Sequence, residues 1–147
     1  MNGSISKSKN RKVLLYTTLG KLNKETEENT IQSFNSWKKF NFEVVVFGED
    51  FHKDLCQEYN FILDLDYEKN EFNMPLVKSL FENAKNYEKY DVYCYLNSDI
   101  KFQSSPQKFI DSVEQEDFLL IGQRLDLYPD GKTKLHNPGG IDYFFYT

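Results

Sequence analysis

Short runs of β-branched, aromatic and aliphatic residues recur along this chain, and longer stretches with apolar residues at helical spacing separate most of them. That alternation constrains the fold more than any other feature. Residues 13–17 (VLLYT) and Val44, Val45, Val46 and Phe47 are continuous apolar runs of strand length, the pattern of strands buried on both faces. Residues 61–65 make a third, weaker run, 92–96 a fourth, 118–121 a fifth and 141–146 a sixth. After the first run, Thr26 precedes Glu27 and Glu28, a hydroxyl cap with acids in the first helical turn. Ile31, Phe34, Trp37 and Phe40 then give that helix one apolar face. Asp50 is positioned to cap a short helix with Phe51, Leu55 and Tyr59 inward. Residues 73–75 open another, with Leu76, Leu80, Ala84 and Tyr87 on its buried stripe. Ser105 and Pro106 start a last helix carrying Phe109, Ile110 and Val113. Strands alternating with helices imply βαβ units, and so an α/β fold with a mainly parallel, mixed sheet and helices on both faces.

The 147 residues suit one domain, assigned to 12–147 behind a Ser/Asn/Gly-rich leader at 1–11. A net charge of −5 argues against a nucleic-acid binder, and the basic cluster Lys7, Lys9, Arg11 and Lys12 reads as a solvated tail. Cys56 lies in a helical pattern and Cys94 in a strand, so both read as small buried residues consistent with a reducing compartment. No apolar run reaches membrane-span length and the leader lacks the apolar core of a signal peptide, so the expectation is a cytoplasmic protein with no membrane segment. The chain stops at Thr147 straight after an aromatic run, which reads as an uncovered edge and hence as a domain truncated at its C-terminus.

In sheets of this kind ligands bind beyond the carboxyl ends of the strands. The fourth run delivers Asn97-Ser98-Asp99 to that position. A hard divalent cation, Mg²⁺ or Mn²⁺, is commonly held by one or two carboxylates together with substrate phosphates, which makes Asp99 a metal candidate; a simple turn cap is the plainer role. Residues 91–100, the preceding helix that begins at 73–77, Gly122-Gln123-Arg124-Leu125-Asp126 and residues 139–144 together resemble the GT-A-fold glycosyltransferases, in particular their N-terminal donor-binding part. The resemblance spans nearly the whole chain after the leader. It implies a Rossmann-like fold and a nucleoside diphosphate sugar as donor, with transfer of a hexosyl or deoxyhexosyl group to a glycan or other hydroxyl acceptor. It also implies that Thr17 and Thr18, in the turn after the first strand, touch base and ribose, and that the strand ending at Asp99 carries the metal motif. Asn97 stands where that motif has its first carboxylate, leaving Asp99 the only acid; Asn97 can still bind a ribose hydroxyl or a metal-bound water.

Glu49 and Asp50, after the second strand, are candidates to accept hydrogen bonds from the nucleoside, against helix capping for Asp50. The planar fork of Arg124 suits diphosphate oxygens, in competition with a local ion pair to Asp126. His136 is either a further metal ligand or a loop residue. Asp142, following Gly139-Gly140, is the candidate base for the acceptor hydroxyl, against a turn carboxylate. Two other functions remain open. One is a nucleotide-sugar-binding domain without catalysis. The other is a sugar nucleotidyltransferase, which needs a glycine-rich phosphate loop where this chain has Thr17-Thr18-Leu19-Gly20-Lys21.

Overall fold

The computed structural model describes residues 9–135 and 142–147. Its centre is β1 (Val13–Thr18), flanked by β2 (Glu43–Phe47) on one side and β4 (Val92–Leu96) on the other. The six-stranded sheet has the order β3-β2-β1-β4-β8-β5, with β3 at Ile62–Asp64, β5 at Leu119–Gly122 and β8 at Tyr143–Tyr146. β1 to β4 are parallel, and β8 lies antiparallel between β4 and β5. This is the mixed α/β architecture expected from the alternation, and it is Rossmann-like, as the resemblance implies. The aromatic run at the end of the chain corrects one expectation. It is no free edge, because Phe144 faces Tyr95 on one side and Ile121 on the other. The edge on that side is β5, and β3 forms the opposite edge.

Alternate residues of the central strands feed two apolar layers. Val13 and Leu15 pack with Phe34 and Trp37 of α1 (Lys24–Lys39), Cys56 of α2 (Lys53–Tyr59) and Ile110 of α4 (Gln107–Ser112). Leu14 and Tyr16 face the opposite way, toward Leu80 and Ala84 of α3 (Val77–Ala84) and a ring of tyrosines. Complete burial of Phe34 and Trp37 contributes about 1.5–3 kcal/mol for a side chain of phenylalanine size. Gly122 is required where β5 meets β8, since a Cβ there would fall 1.8 Å from the Tyr143 ring.

Local differences from the sequence reading have physical causes. Helix α1 is capped by Asn23, whose side chain accepts from the Thr26 amide while the Thr26 hydroxyl accepts from the Asn23 amide; Thr26 is therefore the reciprocal partner and not the cap. A 3₁₀ turn over Asp50–His52, with Glu49 at its cap position, precedes α2, and this rotation exposes Phe51 and buries His52. Helix α3 starts at Val77, because Asn73 takes a left-handed conformation and Pro75 bridges to Lys69. On α4, Ile110 is buried and Phe109 exposed. A small hairpin, β6 (Leu125–Leu127) with β7 (Thr133–Leu135), has no counterpart in the sequence reading.

The basic end of the leader belongs to the fold. Arg11 is buried, donates to the Ile110 and Gln115 carbonyls and lies over the Phe118 ring, while Lys9 pairs with Glu116. Both cysteines are buried and free. Burial pushes the Cys56 thiol up to about 11 and the Cys94 thiol well above its ordinary value, which leaves both unreactive. Among the described residues no helix is long and apolar enough to cross a membrane.

Candidate functional site

The strand order reverses its direction of growth at β1, since β2 and β3 are added on one side and β4 on the other. Such a reversal opens a crevice at the carboxyl ends of the two diverging strands. The parallel register aligns Tyr16 with Tyr95, and two residues further along, Thr18 and Asn97 line one cleft. A cleft of about 320 Å³ lies there, walled by Thr18, Gly20 and Lys21 after β1, by Asn29 and Thr30 of α1, and by Asn97, Ser98 and Asp99 after β4. Asp99 and Asn29 also border a second, larger cleft of about 720 Å³, whose far side carries Arg124, Asp126 and Tyr143.

The turn bearing Asp99 is held from behind by α1. The Trp37 indole donates to the Ile100 carbonyl at 2.9 Å, and the Phe102 amide donates to the Ser36 hydroxyl at 3.1 Å, both in buried surroundings. Asn97 and Asp99 themselves are exposed toward the cleft. Thr18 borders the cleft and hydrogen-bonds Tyr95, whose phenol is raised by burial with that bond opposing the shift. Thr17 does not border it. Strand alternation points its side chain into the α1 layer, where it is fully buried and its hydroxyl has no partner among the described residues.

Glu49 lines neither cleft. It is half-buried in an ion pair with Lys69, whose ammonium lies over the Tyr67 ring. Arg124 sits 3.4 Å from Asp126 and 3.3 Å from Asp142, so the two residues expected to serve phosphate and base meet directly, and the expected Asp126 pair is also present. His136, Gly139, Gly140 and Ile141 lie outside the described residues. Asn29 and Lys101 escaped the sequence reading, and Lys21 entered it only within a segment that lacks the glycines of a phosphate loop. Lys21 was detectable as the one cation in the turn after β1, whereas Asn29 and Lys101 reach the clefts only through packing.

The donor set sets limits on a cation. Asp99 is the only carboxylate on the smaller cleft, and among the described residues no group of three or more His, Cys, Asp and Glu side chains comes together. One carboxylate with the side-chain oxygens of Asn97 and Ser98 suits Mg²⁺ or Mn²⁺ that takes its remaining ligands from phosphates and water.

A Rossmann-like α/β domain with a crevice at its switch point is the class these features define. Neither a protein-family model nor a curated protein sequence matches the chain. Among solved structures the fold is similar to 4-diphosphocytidyl-2C-methyl-D-erythritol synthase from Anaerococcus prevotii DSM 20548. The TM-score is 0.54 over 94% of this chain and 72% of that one, at 8% sequence identity. At that identity the likeness establishes the fold.

Proposed function

We propose that this chain binds a nucleoside diphosphate sugar across the switch-point crevice and serves its transfer to an acceptor hydroxyl. The observation that carries this reading is the meeting of Thr18 with Asn97, Ser98 and Asp99 in one cleft, which continues past Asp99 to Arg124. Base and ribose lie against Thr18, Gly20 and Asn97. The diphosphate extends past Asp99 toward Arg124, whose fork matches its oxygens. A divalent cation held by Asp99 would offset charge on the leaving diphosphate. Asp142, beside Arg124, accepts the proton of the acceptor hydroxyl. In this reading Thr17 backs the strand from inside the core, and Glu49 steadies the β2 end through Lys69.

The solved structure of similar fold favours a second reading, since its name describes a synthase whose product carries a diphosphocytidyl group. A sugar nucleotidyltransferase would take a nucleoside triphosphate and a sugar phosphate in the same crevice. Release of nucleoside diphosphate from a sugar nucleotide supports the first reading, and release of pyrophosphate from a triphosphate with a sugar phosphate supports the second. Tight binding with neither release supports a domain that binds without catalysis. For the site itself, titration calorimetry with uridine and guanosine diphosphate sugars is expected to show binding strengthened by Mn²⁺. Asp99→Ala is expected to lose that strengthening while retaining weak binding. An unchanged metal dependence in Asp99→Ala removes Asp99 as the ligand.

A further inference from the structure

His52 belongs to no reacting group, yet its ring joins the turn after β2 to the turn after β1 that walls the crevice. It is 2% exposed. Its Nδ1 lies 2.9 Å from the Glu49 amide and its Nε2 lies 2.8 Å from the Gly20 carbonyl. An amide only donates and a carbonyl only accepts, so Nδ1 is bare and Nε2 carries the hydrogen. The ring is thereby fixed as one neutral tautomer between the turn after β2 and the turn after β1. Gly48 makes room for it, since a Cβ at that position would come within 2.6 Å of Nδ1. The Leu19 amide, which donates to the Phe47 carbonyl at 3.1 Å, is the last backbone bond between these two turns before Gly20. Beyond it Gly20, Lys21 and Leu22 form a wall of the smaller cleft, and His52 is the side chain that holds the Gly20 carbonyl.

We propose that His52 is a positioning residue for the nucleotide cleft, setting the β1 wall by fixing the Gly20 carbonyl from behind. The role rests on the nucleotide reading above. It is specific to one ring nitrogen, because the Nε2 bond reaches the cleft wall whereas the Nδ1 bond serves the start of α2.

Two near-isosteres separate those bonds. Asn places an acceptor near Nδ1 and has no donor at Nε2, whereas Gln places a donor near Nε2. His52→Asn and His52→Gln, in the full chain, are compared by amide exchange without ligand and by calorimetry with a uridine or guanosine diphosphate. His52→Gln is expected to keep slow exchange across residues 19–23 and an affinity within about threefold of wild type. His52→Asn is expected to keep the protection of α2, lose that of residues 19–23 and bind on the order of tenfold more weakly, the equivalent of one hydrogen bond. Equal affinity in both variants overturns the proposal, as does wild-type exchange across residues 19–23 in His52→Asn. If the wild-type protein binds no nucleoside diphosphate, the nucleotide reading fails and the positioning role fails with it. If wild type binds and His52→Asn binds equally well, only the role of His52 is lost.

Discussion

At the scale of single residues, Arg124 and His52 illustrate two ways of holding a polar group. Arg124 stands between two carboxylates at 3.3 and 3.4 Å, distances long for charge-assisted bonds, and its side chain keeps 28% of its exposure. The three side chains are partly buried, and at such distances each pair contributes on the order of 1 kcal/mol. Arg124→Lys, which keeps the charge and loses the fork, is therefore expected to leave the melting temperature nearly unchanged and to weaken nucleoside diphosphate binding about tenfold. Lost stability with binding per folded molecule intact would take Arg124 out of the site. His52 is held by burial, which lowers its pKa, with the Gly20 carbonyl opposing the shift. An unfolded imidazole titrates near pH ~6.5, so below that pH the unfolded chain takes up a proton more readily than the folded one. The stability due to neutral His52 is complete above about pH 6.5 and declines as pH falls toward the lower folded value. Urea midpoints for wild type and His52→Gln should therefore converge between about pH 7.5 and about pH 5. A constant gap across that range would mean that the ring is not held neutral.

At the scale of elements, α1 does more than cover the sheet, because Trp37 and Ser36 also fasten the turn that presents Asp99. Trp37→Phe keeps most of the buried ring but leaves the Ile100 carbonyl without its donor, a cost of about 1–3 kcal/mol. Amide exchange should quicken most across residues 97–102, ahead of the rest of the sheet. Wild-type exchange there would show that Trp37 does not fasten the turn. Sequence patterning revealed the strands well where both faces are buried, as at β1, β2 and β4, because continuous Val, Leu and Tyr leave few other solutions. It could not reveal that β8 inserts antiparallel between β4 and β5, since strand order depends on long-range pairing and Tyr143–Tyr146 reads the same at an edge or inside. Three-residue strands such as β6 and β7 lack a periodicity to detect. At the site, Asp99, Asn97 and Thr18 were legible as residues that follow strands. Thr17 was misjudged by the single-residue alternation that turns neighbours to opposite faces, and His52 was missed because a 3₁₀ turn shifted which side of that segment is buried.

At the scale of the molecule, one sheet separates two apolar layers of different character. The α1, α2 and α4 side contains Trp37, the only tryptophan of the chain, at full burial. The other side is a tyrosine layer covered by the eight-residue α3, in which Tyr16 and Tyr146 share a hydroxyl hydrogen bond at 2.6 Å and Phe81 stacks on Phe144. The two layers have no strand of their own. Leu15 and Tyr16 are adjacent on β1 and serve opposite layers, so neither layer can come apart without displacing the strand that supports the other. A chain of this size normally unfolds in one transition with a urea slope of about 1–3 kcal/mol per molar. Tryptophan fluorescence and the ¹⁹F resonances of fluorotyrosine in the α3 layer should therefore report a common midpoint. A tyrosine transition at lower urea would mean that α3 is too slight a cover to couple its face to the sheet. Because Thr18 lines the crevice and hydrogen-bonds Tyr95 of that layer, nucleotide binding would then be expected to close the gap between the two midpoints.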